Sequence, residues 1–142
     1  MRLTTRSRYG TRLILDIAQH QDQGPVQVGD IAKREELSVK YLELLIRSLR
    51  QAGFLKSVRG AKGGHLLTKP PEEIRIGEIV KVLEGDTVIV DCSKDNEHCS
   101  RKDRCSTLPL WQEIEQLVND KLYSVTVRDL MDRESGLSAS RD

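Results

Sequence analysis

The sequence of 142 residues predicts a mainly α-helical fold with one small β-hairpin: a winged helix-turn-helix followed by a long C-terminal helix. Three observations lead there. Two helical patterns, Val28 to Glu36 and Val39 to Ala52, are separated only by "LS", and helices joined by so tight a turn form a helix-turn-helix. Directly after Gly53 the pattern turns extended, with "FLKSVRG" and "GHLLTK" flanking "AKGG", which is a hairpin signal. Farther on, "LPLWQEIEQLVNDKLY" has apolar residues at 110, 111, 114, 117, 118 and 122, a helix of about four turns, longer than a small winged helix needs to cover its own core.

Each element has its own local reason. A first helix spans about Ser7 to His20, with Tyr9, Leu13, Ile14, Ile17 and Ala18 at helical spacing and Arg8, Arg12 and Asp16 on the other side. It ends at "DQGP", where Gly and Pro break helical geometry. In the helix-turn-helix, Ser38 is placed as an N-cap, and Leu42, Leu45, Ile46 and Leu49 face a core,. Gly53 closes that helix as a C′ glycine,. Glycines 60, 63 and 64 permit the positive φ angles that a tight or bulged hairpin connection requires,. "TKPPEE" marks a boundary, and "IGEIVKVLEG" is a short helix with Ile76, Ile79, Val80 and Leu83 on one face, stopping at Gly85,. Residues 1–85 are therefore expected to be a DNA-binding unit, 86–107 a cysteine-bearing loop, and 108–134 a dimerisation helix, the alternative being that it packs on its own domain, plus a last helix with Thr126 and Asp129 spaced as a capping box,. Residues 135–142, "SGLSASRD", are expected to be a disordered tail,.

The formal net charge of +1 hides an asymmetry. Residues 1–69 hold 13 Lys and Arg against 6 Asp and Glu, a net of +7, whereas residues 70–142 hold 10 against 16, a net of −6. A basic front half points to a polyanion, the alternative being an ordinary solvated surface. The first residues contain no continuous apolar run and no small-residue cleavage site, so a cytoplasmic location is expected, with no signal peptide and no membrane contact. No serine, histidine and acid arrangement or paired-carboxylate motif stands out, which argues against an enzyme and leaves the catalytic set empty,.

A recognition helix presents its N-terminal residues to base edges while phosphate contacts supply most of the affinity. The second helix of the motif offers Ser38, Lys40, Tyr41, Glu43 and Arg47. Glu43 is unusual, since a carboxylate near phosphate is tolerated where it accepts from cytosine N4; its plainer role is a surface charge paired with Arg47 one turn on. The hairpin adds Arg59, suited to a narrow minor groove, and Lys62, suited to phosphate,. Arg2, Arg6 and Arg8 are further backbone-contact candidates,. Double-stranded DNA with two half-sites, read by a homodimer, is the partner expected.

All three cysteines, Cys92, Cys99 and Cys105, fall on the polar loop, and the single Trp111 follows six residues later. An odd count in a reducing compartment favours metal, cluster or redox chemistry over a disulfide framework. The close CxxC pairs usual in structural zinc sites are absent,, and wide single spacings on a loop suit an iron–sulfur cluster. Basic Lys94, Arg101, Lys102 and Arg104 would lower thiol pKa values and offset cluster charge,. A fourth ligand could come from His98, from a loop oxygen such as Asp103 or Thr107, from a partner subunit, or from a small molecule. Three free surface thiols are the remaining alternative.

From "MRLTTRSRYG" through "YLELLIRSLRQAGFLKSVRGAKGGHLL" to the cysteine loop and "LW", the chain resembles the Rrf family of winged-helix transcription regulators. The resemblance implies a homodimer held by the long helix after the loop, DNA contacts from the recognition helix and wing including Glu43 and Arg59, and an iron–sulfur cluster on Cys92, Cys99 and Cys105. A 2Fe-2S cluster is preferred, with 4Fe-4S as the other form. Family members complete their clusters either with a histidine three residues after the last cysteine or with an aspartate near the partner's N-terminus; here those positions are Leu108 and Arg8. The expected function is a DNA-binding transcription regulator whose promoter binding is controlled by the cluster, sensing cluster or iron status, or oxidative or nitrosative stress. A zinc- or thiol-based redox regulator is the alternative, and an electron-transfer iron–sulfur protein fits the basic front half less well.

Overall fold

The computed structural model describes residues 2–93 and 99–140. Helix α1 (Thr5–His20) starts two residues before the pattern predicts, because the Thr4 hydroxyl accepts from the Arg6 N–H and caps it. Helix α2 (Val28–Glu35) and helix α3 (Val39–Gln51) form the helix-turn-helix. Glu36 does not extend α2: it adopts the left-handed conformation, φ 54°, and Leu37 N–H reaches back to the Ala32 carbonyl at 3.1 Å. Ser38 caps α3 as expected, its hydroxyl accepting from the Tyr41 N–H at 3.1 Å.

Strands β1 (Leu55–Val58) and β2 (Gly64–Leu67) pair antiparallel, Leu55 opposite Leu67 and Val58 opposite Gly64. Val26 adds an isolated bridge on the other edge of β2, a rung outside that ladder, exchanging two backbone hydrogen bonds of 2.8 and 2.9 Å with His65. Gly64 makes that rung feasible: its φ is 152°, and a Cβ there would lie 2.6 Å from the Val26 carbonyl group,. The wing is therefore tied to the entry of α2 as well as to itself.

Helix α4 (Ile76–Glu84) packs against α1 at Gly10, where a Cβ would fall 2.1 Å from a Leu83 methyl. One core holds the unit together, with Leu13, Ile14 and Ile17 of α1, Ile31 of α2, Leu42, Leu45 and Leu49 of α3, and Ile79 of α4 completely buried. Asp16 lies in the same interior, 1% exposed, and accepts both Arg34 nitrogens, Nε at 2.8 Å and Nη2 at 2.7 Å. That fork fixes α2 on α1 and holds the Arg34 guanidinium above its ordinary pKa, chiefly through the hydrogen bond to Asp16,.

After the cysteine segment, helix α5 (Leu108–Ser124) runs 17 residues and buries only Leu108 fully. Its C-terminal end rejoins the core. Ile76 N–H donates to Val125 O at 2.9 Å, Val127 N–H donates to Ile74 O at 3.0 Å, and Tyr123 lies across Gly77 so closely that a Cβ would meet its ring at 2.4 Å. Helix α6 (Val127–Ala139) begins with the expected capping box of Thr126 and Asp129. The tail expected from Ser135 is a correction: α6 continues through Ser135 and Gly136 to Ala139. Side chains let it do so, since Ser135 donates to the Met131 carbonyl, and one glycine costs a helix only about 1 kcal/mol,. Residues 141 and 142 of that tail lie outside the described residues.

Candidate DNA-binding surface and cysteine segment

The outward row of α3 carries Lys40, Glu43 and Arg47, all exposed, and the wing carries exposed Arg59 and Lys62. Arg2 is exposed just before α1. Two of the candidate DNA contacts are already engaged. Ser38 is committed to its cap, and Tyr41 is half-buried, its hydroxyl 3.2 Å from the Thr5 hydroxyl and its ring edge-on to Tyr9 with centroids 6.0 Å apart. Tyr41 therefore braces the start of α3 against the start of α1. No ion pair joins Glu43 to Arg47 among the described residues. Instead both line a cleft between α3 and the wing together with Arg50 and His65.

Arg50 and His65 were not singled out from the sequence. Arg50 Nη1 donates to the Ser57 hydroxyl at 3.2 Å, and Ser57 Oγ lies 3.3 Å from His65 Nδ1, so the end of α3 is linked to both strands of the wing. Burial, reinforced by the Arg50 charge and opposed by Glu43, holds the His65 pKa below the usual imidazole value,. The neutral ring is the form that fits this joint. Only the i, i+7 separation of Arg50 and Ser57 across Gly53 could have hinted at the link.

At the far end of α4, Glu84 accepts from Thr4 N–H at 2.8 Å, Thr4 Oγ1 at 2.6 Å and Ser7 N–H at 3.2 Å. A carboxylate thus sits on the N-terminus of α1, where the unpaired N–H groups and the helix dipole favour negative charge. Partial burial alone would raise its pKa; the bonds from Thr4 and Ser7 outweigh that and hold it below the usual range,. Glu84 is the last helical residue before the cysteine segment.

Cys92 lies on a single helical turn, Asp91–Ser93, which rests against α5, and Ile89 N–H donates to the Glu115 carboxylate at 3.3 Å. Cys105 leads into Thr107 and the first turn of α5. All three cysteines are half-buried and free of disulfides. Cys105 Sγ is 3.3 Å from Thr107 Oγ1, and hydrogen bonds from that hydroxyl and from the backbone N–H groups of Thr107 and Leu108, aided by Arg101, hold its thiol below the ordinary cysteine value,. Among the described residues, no three Cys, His, Asp or Glu side chains converge as ligands of one ion. Thr107, one of the candidate fourth ligands, is occupied by Cys105 itself. Asp103 is exposed, whereas Lys94, Asp95, Glu97 and His98 lie outside the described residues. Leu108 is buried in the core side of α5, and Arg8 stacks its guanidinium 5.7 Å from the Tyr9 ring. No helix in the described residues is long and apolar enough to cross a membrane.

Comparison with known proteins agrees with this arrangement. The family model described as Rrf2, iron-dependent transcriptional regulator, matches residues 3–133. Protein rrf2 of Nitratidesulfovibrio vulgaris is 47% identical over 131 residues, covering 92% of this chain and 87% of the relative. CymR, the global cysteine regulator of B. subtilis, superposes with a TM-score of 0.80 at 35% identity, covering 94% of this chain and 98% of that one. T. potens IscR superposes with a TM-score of 0.74 at 36% identity, covering 94% and 88%. With a helix-turn-helix, a wing tied to it, and a family match over nearly its whole length, the chain belongs to the Rrf2 family of winged-helix transcription regulators.

Proposed function

We propose that the protein is a homodimeric, DNA-binding regulator whose promoter occupancy is set by an iron–sulfur cluster on Cys92, Cys99 and Cys105. The observation that carries this reading is the position of the cysteines: three free thiols on the chain segment that leads from the DNA-binding unit into the amphipathic helix α5. The donor set suits an iron–sulfur cluster in its chemistry, and the family match is to iron-dependent regulators,. Its geometry is not preassembled among the described residues, so binding must draw the thiolates together. Cys92, Cys99 and Cys105 would hold the cluster, which would supply oxidant-sensitive redox chemistry at these thiolates.

What the chain's own residues do follows from their anchors. Cys92 is fixed to the turn that rests on α5, and Cys105 to the first turn of α5 itself. Gathering their sulfurs restricts residues 86–107 and thereby the angle at which α5 leaves the DNA-binding unit. Leu110 and Leu117 of α5 are 49% and 69% exposed, with Trp111, Ile114 and Val118 half-buried beside them. That stripe suits a second copy of the chain related by a two-fold axis, which would present two α3 helices to successive major grooves about 34 Å apart. Lys40, Glu43, Arg47 and Arg59 read the site, while Arg2 and Lys62 hold phosphate; Ser38 and Tyr41 set the α3 N-terminus on which the readers stand.

The test is anaerobic purification followed by a visible spectrum, iron and sulfide analysis, and DNA-binding titrations of the wild-type and Cys92→Ala proteins. Cluster absorbance lost in the variant together with a changed promoter affinity supports the reading. A colourless, iron-free wild-type protein, or equal affinity on every promoter, sinks it.

Two observations favour a second reading: the similarity to CymR, a cysteine regulator, and a Cys105 thiol whose pKa is lowered by its hydrogen bonds to Thr107 and Leu108. In that case thiol oxidation replaces cluster loss, and metal-free protein would change its DNA affinity on treatment with peroxide.

A further inference from the structure

The core stripe of α3 is Leu42, Leu45, Ile46 and Leu49, every one buried. Leu44 is out of step with that stripe. It is 46% exposed and stands in the outward row, one turn after Lys40 and one turn before Arg47. With Ser38, Lys40 and Tyr41 it forms a shallow hollow of about 270 Å³ with almost wholly apolar walls. The hollow is rigid on one side, because the Tyr41 ring is held by Thr5 and Tyr9 of α1. Its neighbours along the helix surface are cationic, Lys40 one turn before and Arg47 one turn after, both exposed.

A single exposed leucine is ordinary on most surfaces. In the middle of a polyanion-binding row it is not, since it displaces a residue that could hydrogen-bond a base or phosphate. The major-groove edges of unmodified DNA carry one apolar group, the C5 methyl of thymine. We infer that Leu44 is a specificity-determining residue, its side chain taking the C5 methyl of a thymine next to the base that Glu43 contacts. The inference rests on the reading of α3 as the recognition helix. Leu44 and Glu43 then read adjacent positions by different chemistry, one by apolar contact and one by accepting a hydrogen bond.

The experiment begins with duplexes selected by the full-length protein from a random-sequence pool. Each thymine of the selected half-site is then replaced singly by uracil, which removes the methyl and nothing else. Wild type should bind one such uracil duplex about fourfold more weakly, the effect of leaving one methyl-sized group unburied. Leu44→Ala, a surface change expected to leave thermal stability unaltered, should bind the thymine and uracil duplexes equally. Lys40→Ala should weaken both by the same factor. A thymine-to-uracil ratio of one at every position, or a ratio that persists in Leu44→Ala, overturns the inference. So does a change of oligomeric state in Leu44→Ala without a change in base preference, which would make the hollow a protein contact. If neither Lys40→Ala nor Arg47→Ala alters binding to the selected site, α3 does not enter the groove; the recognition-helix reading has then failed, and the inference falls with it.

Discussion

Asp16 shows how much a single buried carboxylate can decide. Among the described residues its strong partner is Arg34, with His20 Nδ1 3.6 Å from Oδ1. Removing Arg34 leaves an uncompensated charge in the α1–α2 interface, so Arg34→Ala should lower stability by about 3 kcal/mol, read as a shift of the urea midpoint at neutral pH. Glu84 acts on the opposite end of α1. Its folded pKa is depressed, so its contribution is fully present above the unfolded carboxylate value and is lost as pH falls through the lower folded value,. Glu84→Gln should cost about 1–2 kcal/mol at pH 7, and the cost should shrink as pH falls through the depressed folded value, because the wild-type carboxylate then becomes neutral itself,; a cost independent of pH would count against the capping role. Caps made by neighbours, such as Ser38 or Thr126 with Asp129, were legible because the partners lie three residues apart. The Glu84 cap was not, since 80 residues separate it from Thr4.

Among the elements, α5 is the longest that its own chain leaves largely uncovered. Its periodicity announced an amphipathic helix, and the helix is there, but only Leu108 of its 17 residues is buried. Leu117, 69% exposed near the middle of the stripe, is the position where a charge should do most damage to pairing and least to the fold. Leu117→Glu is expected to sediment as a monomer with a thermal midpoint close to that of a wild-type sample diluted to the monomer; a persistent dimer would remove α5 as the interface. Helix α6 illustrates the opposite error. Ser135 and Gly136 read as the start of a tail, yet hydroxyl groups can bond carbonyls one turn back and sustain a helix that composition alone would end,. The wing was legible from its glycines, whereas its isolated bridge to Val26 was not, because "GPV" carries no strand pattern of its own.

Across the molecule, charge segregates by function. The basic half forms α1, the helix-turn-helix and the wing, and the acidic half forms α4, the cysteine segment, α5 and α6. DNA affinity should therefore fall steeply with salt, and Lys62→Ala should weaken binding to all sequences alike while reducing the log–log salt slope by about 1; an unchanged slope would mean that Lys62 touches no phosphate. The DNA-binding architecture was readable from sequence because helix spacing, caps and turns are local. The cysteine site was readable only as a donor set, since convergence of Cys92, Cys99 and Cys105 depends on how the chain closes on itself or on a ligand. The stitching of Val125 and Val127 to Ile74 and Ile76 has a further consequence. The segment between α4 and α5 is not what keeps the two halves together: a trypsin nick after exposed Arg101, Lys102 or Arg104 should yield two peptides that still travel as one particle on a sizing column. Such a nicked molecule would keep its two halves docked and, on the function proposed for it, lose the link through which the cysteines act: a severed wire inside an intact casing.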